Sequence, residues 1–419
     1  MMNKIFLRCA VALGILCVFT SLAAAQSGST RPRRVPQPKP SPTPRSNPQN
    51  EPLLTPTPAT STGTSNNGSN NTAPSSASTS VGTASTSRAY ALFQQQKYED
   101  AAREARQVAA NEPGNSEAWK IAGFSEYNLK RYADASSDLQ KAFDLQRGAG
   151  AEDPNTLDAL AKSYALNEDF ERALPLLVTA TSRPGVKADP SLLSLRGLAE
   201  YSTGKMDDAV RSLNAAVKAN PKDVAALYYL GRIFIDRSDF PAAIAALNRA
   251  TTADPRNASA WALLTTAYLQ RAAKAQGMAA SDADYLSAVR AGESLTRLKT
   301  DPDTVTLFAQ ALIGAKQYAR AAAELEKVTA GANAKGVTLY LLGVSHSRAK
   351  NFPRAIAALE RAAALTPDDV NIYRELGYDY EVSKQYGKAL AAYEKGAQLA
   401  PSDADFKASA ERVRPYAKQ

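Results

Sequence analysis

The sequence predicts an all-α repeat solenoid, and three observations point there. One apolar pattern returns about every 34 residues from about Ser87 onward, a period that belongs to stacked helix-turn-helix units. Alanine is spread through most of the chain while aromatics are 7%, which suits helices that meet through small contact faces. Proline recurs near the unit ends, at Pro113, Pro221, Pro255, Pro367 and Pro401, where it cannot continue a helix.

In chain order, residues 1–25 read as a secretory signal. Lys4 and Arg8 give the positive start, Cys9 to Leu22 the apolar stretch, and Ala23, Ala24 and Ala25 a cleavage site before Gln26. The rival is an uncleaved membrane anchor, for which the apolar stretch is barely long enough. Lipidation at Cys17 is disfavoured by bulky Ile15 and Leu16 just before it. Both cysteines of the chain lie in this segment, so cleavage would leave no thiol, disulfide or cysteine ligand.

Residues 26–86 are rich in Pro, Ser, Thr and Asn and have almost nothing large and apolar to bury, so a disordered tether is expected. The chain carries 50 Lys and Arg against 41 Asp and Glu. Setting aside the seven bases and one acid that precede the repeats leaves 43 against 40, a nearly neutral body. The surplus of positive charge belongs to the N-terminal arm and gives no nucleic-acid-binding face.

The array is expected over residues 87–401, with units near 87–115, 116–149, 154–187, 190–223, 224–257, 258–301, 302–335, 336–369 and 370–401. A capping helix is expected in 402–419. In the copy from Val224, Leu227, Leu230, Gly231 and Phe234 line a first helix, and Phe240, Ala243, Leu247 and Ala250 line a second. In the copy from Val370 the same offsets hold Tyr373, Leu376, Gly377, Tyr380, Tyr386, Ala389 and Tyr393. The small residue of each first helix, such as Gly123, Gly231 or Gly377, is expected to let the helices approach, with the alanine of the second, such as Ala135, Ala243 or Ala389, receiving it. The sixth unit is about ten residues over length and is expected to have an extended first helix and a long loop before a second helix near Tyr285.

These residues resemble the tetratricopeptide repeat family, whose pattern is a large residue, Leu, Gly, Tyr, a second aromatic, Ala, an aromatic, Ala and Pro. The resemblance implies a right-handed superhelix of about nine hairpins whose first helices line a concave, partner-binding groove. It places Lys120, Phe124, Tyr127, Asp158, Lys162, Ser194, Tyr201, Tyr228, Arg232, Asp236, Thr266, Gln270, Tyr340, Arg374, Tyr378 and Glu381 along that groove. Aromatics with charges between them suit an extended peptide or an amphipathic helix, so a protein partner is expected. The family's C-terminal-carboxylate clamp is not reproduced, since Phe124 stands where its Asn would be.

No catalytic, metal or cofactor residues are expected. His346 is the sole histidine and sits where other units carry Tyr164, Tyr268 or Tyr380, facing the hairpin core. The pairs Asp207-Asp208 and Asp368-Asp369 are read as helix caps. No phosphate loop or nucleophile motif stands out. The sequence thus predicts an exported, periplasmic or secreted, protein-binding scaffold serving envelope assembly or secretion. The alternatives are a polysaccharide-binding export scaffold, with aromatics stacked on sugar rings, and a noncatalytic subunit of a membrane complex.

Overall fold

The computed structural model describes residues 84–275, 278–331 and 333–417. The expected signal, and the linker up to residue 83, lie outside them. The described residues form nineteen α-helices and no strand. Contacts divide the chain between Leu230 and Gly231 into two compact units.

The N-terminal unit holds four hairpins: α1 (Thr86–Gln94) with α2 (Tyr98–Asn111), α3 (Ser116–Asn128) with α4 (Tyr132–Gly148), α5 (Pro154–Leu166) with α6 (Phe170–Thr181), and α7 (Pro190–Ser202) with α8 (Met206–Ala219). The boundary falls inside α9 (Val224–Asp236). The C-terminal unit continues with α10 (Phe240–Ala253), then pairs α11 (Ala258–Lys274) with α12 (Met278–Leu298) and α13 (Pro302–Gly314) with α14 (Tyr318–Thr329). It ends with the pairs α15 (Gly336–Arg348) and α16 (Phe352–Leu365), α17 (Val370–Val382) and α18 (Tyr386–Leu399), and the last helix α19 (Ala404–Val413).

Two local devices punctuate the chain. Within hairpins, the middle residue of a three-residue turn is left-handed, as at Lys130 (φ 61°) and Lys350 (φ 63°). This lets two amides return to the end of the first helix: Lys130 N donates to Tyr127 O at 2.9 Å and Arg131 N to Glu126 O at 2.9 Å. Between hairpins, proline takes the second place of a four-residue turn. Asp369 N donates to Thr366 O across Pro367, and Asp403 N to Ala400 O across Pro401. The residue closing that turn caps the next helix, as Asn115, Asn257, Asp369 and Asp403 do.

Asp369 is therefore a cap, accepting from the amide of Asn371. Asp207 and Asp208 are not: they lie in the first turn of α8, where Lys205 holds the cap position, so both favour the helix dipole, and Asp208 also pairs with Arg211 one turn on.

The close approach of paired helices is real, but the alanine is not what meets the glycine. A Cβ on Gly123 would sit 2.5 Å from Cγ of Leu139, one turn beyond Ala135, and one on Gly377 would overlap the ring of Tyr393, one turn beyond Ala389. The glycine is a socket for a large side chain, while the alanine lets the helix start close.

The sixth unit also differs from expectation. No long loop precedes its second helix; α12 begins at Met278, so the extra residues lengthen both helices. Arg271 and Asp284 pair across the extension, with Arg271 Nε donating to Asp284 Oδ2 at 2.8 Å. Among the described residues no helix is long and apolar enough to cross a membrane.

Candidate functional site: the first-helix faces

Counting from each helix cap aligns the units. Five residues on stand Lys120, Asp158, Ser194, Tyr228, Tyr340 and Arg374; nine on stand Phe124, Lys162, Arg232, Thr266 and Tyr378. The caps end one repeat and open the next, so a long polar side chain at these places can reach the cap of the following helix.

In the N-terminal unit most of them do. Lys120 is 3% exposed, and its Nζ lies 3.3 Å from Asp153 Oδ2, the cap of α5, and 2.7 Å from Glu117. Lys162 is 5% exposed and donates to Asp189, the cap of α7, at 2.9 Å. Burial alone would raise the Asp189 carboxyl, but Lys162 and the amide and hydroxyl of Ser191 hold it below its ordinary value. Ser194 hydrogen-bonds Asp223, which caps α9; burial dominates there and leaves that carboxyl raised. Asp158 pairs with Arg183 of the loop after α6, and burial keeps it raised despite that partner.

The aromatics of this unit are turned inward too. Phe124 is fully buried, and Tyr127 packs edge-on against Tyr132 with ring centres 5.6 Å apart. Tyr201 and Tyr228 both pack on Tyr229, at 5.4 Å and 5.2 Å, and all three are buried. Tyr127 packs within its own hairpin and Tyr201 reaches Tyr229 of the next repeat; in each case the aromatic surface is already covered.

The C-terminal unit is mixed. Arg374 pairs with Asp403, the cap of α19, and stacks over Phe406 at 4.5 Å. Glu381 accepts from Arg412 through both oxygens at 2.9 Å and from the Tyr393 hydroxyl at 2.9 Å. Arg412 chiefly holds the Glu381 carboxyl below its usual range. Thr266 donates to the Ala262 carbonyl of its own helix at 3.0 Å, and Gln270 is half-buried. Asp236 is exposed; partial burial raises it and Arg232 opposes the rise. Tyr340 is half-buried, and burial, reinforced by Glu375 and Asp369, pushes its hydroxyl well above its ordinary value. Tyr378 stays 47% exposed and Val382, one turn on, 43%. Val382 was not in the sequence-derived set, although its spacing of four from Tyr378 places it on the same helix stripe.

His346 is 6% exposed and contacts Glu326 of the preceding α14 at 3.2 Å. It therefore reaches across to the previous repeat. Tyr164 does the same to Gln140 at 3.0 Å, Tyr380 to Glu360, and Tyr268 accepts from Asn248 at 3.4 Å. Glu126, which sequence reasoning passed over, takes this place in α3 and pairs with Arg106 of α2 at 2.9 Å. Among the described residues no group of His, Cys, Asp and Glu is placed to hold a metal ion.

A family profile described as tetratricopeptide repeat matches residues 86–152, 194–258 and 340–404. The chain belongs to the tetratricopeptide repeat family. Among curated proteins, this repeat protein is similar to superkiller complex protein 3 of Mus musculus, 30% identical over 116 residues, which is 27% of this chain and 7% of the mouse protein. The matched segment thus spans only a small part of that relative. Among solved structures, it is similar to MamA from Desulfovibrio magneticus RS-1, with 22% identity, a TM-score of 0.38, and cover of 43% of this chain and 97% of the other. It is also similar to the C-terminal part of a tetratricopeptide repeat protein from Cytophaga hutchinsonii, with 16% identity, a TM-score of 0.41, and cover of 70% and 99%.

Proposed function

We propose that this tetratricopeptide repeat protein is an exported, non-catalytic scaffold that holds a peptide or helix of an envelope or secretion partner on the first-helix face of its C-terminal unit. The observation that carries the reading is the exposed pair Tyr378 and Val382 on α17, flanked by side chains fixed from behind, Arg374 on Asp403 and Glu381 on Arg412. An aromatic anchor set between immobilised charges loses little entropy on binding and offers both apolar area and orientation. The N-terminal counterparts lack that free surface. Export rests on the residues before the array, Lys4 through Ala25 in particular.

The binding half is tested with Tyr378→Ala combined with Val382→Ala. Neither side chain is buried, so the melting temperature should hold while capture of the partner by crosslinking in cells is lost. Unchanged capture at unchanged stability would remove the α17 face from consideration. Retention on immobilised polysaccharide that disappears in the same variant would assign the face to sugar rings instead. N-terminal sequencing of the protein from cells tests export, with Gln26 as the expected first residue; a chain still beginning at Met1 or Met2 would contradict cleavage.

A further inference from the structure

Ten residues past the helix cap, the first helices carry a side chain that meets the neighbouring helices with no solvent at all: Ser125, Ser163, Ala199, Ala267, Ala311 and Ser345 are each fully buried. The three serines satisfy their hydroxyls on their own helix, each donating to the carbonyl four residues back at 2.7 Å. In α17 this place is Asp379, equally buried. The exception is matched on α15, where Ser347 stands at the place taken by Tyr127, Tyr201 and Ile313 in other units and leaves room for a carboxyl.

The Ser347 hydroxyl donates to Asp379 Oδ1 at 2.5 Å, and Oδ2 has no hydrogen-bond partner. Among the described residues two charged groups act on it. Glu375, on its own helix, repels the carboxylate; Arg348 of α15 attracts it but is engaged by both oxygens of Glu375, at 3.0 Å and 2.8 Å. The helices α16 and α18 contribute no charge to it. His346 adjoins Ser347 but is directed at Glu326 of α14. A buried carboxylate with one donor and no free counter-ion is costly; the neutral acid, sharing a proton with Ser347, is not.

We infer that Ser347 and Asp379 form a proton-dependent clasp between α15 and α17, closed at mildly acidic pH and loosened at neutral pH. Burial, chiefly, pushes the Asp379 carboxyl up to about 6 from an ordinary 3.8, with Glu375 adding and Ser347 and Arg348 opposing. A carboxyl raised in the folded state contributes stability that is complete below 3.8 and is lost as pH rises through about 6. The clasp lies in the buried seam between α15 and α17 and is independent of whether α17 holds a ligand.

Hydrogen exchange of the α17 and α18 amides in the full chain, corrected for intrinsic rates, tests it at pH 5.0 and 7.5. Asp379→Ser installs the residue that three other repeats carry. Wild-type protection should fall about tenfold or more relative to the variant between the two pH values. Because His346 is present in both chains, its own titration cancels in that ratio. Identical pH profiles would overturn the clasp. Should the variant fold poorly, the carboxyl carbon of Asp379 followed by NMR in the wild-type chain decides: titration near 6 supports the clasp, and titration near 3.8 sinks it.

Discussion

In the N-terminal unit Lys120, Lys162 and Ser194 of the first helices go to the cap of the next repeat, whereas in the C-terminal unit the same places are divided between joining and display. Lys120 and Lys162 are buried against Asp153 and Asp189, while Arg374 makes the equivalent reach to Asp403 with its side chain still 40% exposed. Phe124 is sealed, and Tyr378, at the matching place, lies open. Two stretches built on one pattern can thus differ in what they offer a partner, because a residue that glues repeats together has little left to bind with.

The largest effect expected on this contrast comes from the sockets, since they set the distance between paired helices in both units. Gly123→Ala should be partly absorbed by rotation of Leu139. Gly377→Ala drives a methyl into the stiff ring of Tyr393 and should cost about 2–3 kcal/mol, near the upper end for overpacking. Urea titration with a probe in each unit would measure both. Equal losses would mean that the faced side chain, Leu or Tyr, does not matter.

The buried clasps come next. Lys162→Met removes the partner of Asp189 while keeping most of the packing, and should destabilise the N-terminal unit by about 2 kcal/mol. Arg374→Met, at the more exposed pair, should cost about 1 kcal/mol or less. The two losses, read as midpoint shifts, sharpen the contrast if they differ in this order and break it if they are reversed.

This ordering also shows what the sequence could and could not disclose. The hairpins, their turns and the glycine positions are local and periodic, so 34-residue spacing and residue size were enough to place them, though not the side chain each glycine receives, Leu139 or Tyr393 one turn beyond the expected alanine. The faces were only half legible. Spacing located Lys120, Lys162 and Arg374 correctly on the first helices, but their partners are the caps of the next repeat, about 27 to 33 residues away. Whether a lysine is free or engaged depends on that distant aspartate, which a single-helix reading does not weigh. In the sixth unit the extended first helix, Ala258–Lys274, was legible and the long loop was wrong for a related reason: Asp284 looks like a loop charge until the helix that carries it is seen to pair with the one carrying Arg271.

A smaller, pH-dependent effect attaches to His346. Burial chiefly lowers its pKa from the ordinary 6.5, with Glu326 opposing, so the folded chain prefers the neutral ring. A histidine depressed in this way contributes stability that is present above 6.5 and is lost as pH falls through and below that value. His346→Tyr, the residue used at this place in three other units, should remove that acid-side loss. Thermal unfolding at pH 7.5 and 5.5 would show it as a rise in the pH 5.5 melting temperature relative to that at pH 7.5, compared with wild type; an unchanged difference would place the proton elsewhere.

The smallest effect concerns the left-handed turn residues, and it runs towards stability. At Lys350 a side chain with a Cβ occupies φ 63°, a conformation that costs an L-residue about 1 kcal/mol and glycine almost nothing. Against that gain, glycine enlarges the freedom of the unfolded chain, and the lysine charge near the end of α15 is lost from the favourable end of the helix dipole. Lys350→Gly should therefore stabilise the C-terminal unit by only about 0.5 kcal/mol. Gly204→Ala makes the opposite exchange at φ 80° in the N-terminal unit and should cost about 1 kcal/mol. Opposite signs for the two substitutions, measured as midpoint shifts in urea, would show that the same turn geometry governs both units. A destabilising Lys350→Gly would mean that the dipole and chain-freedom terms outweigh the relief of the backbone.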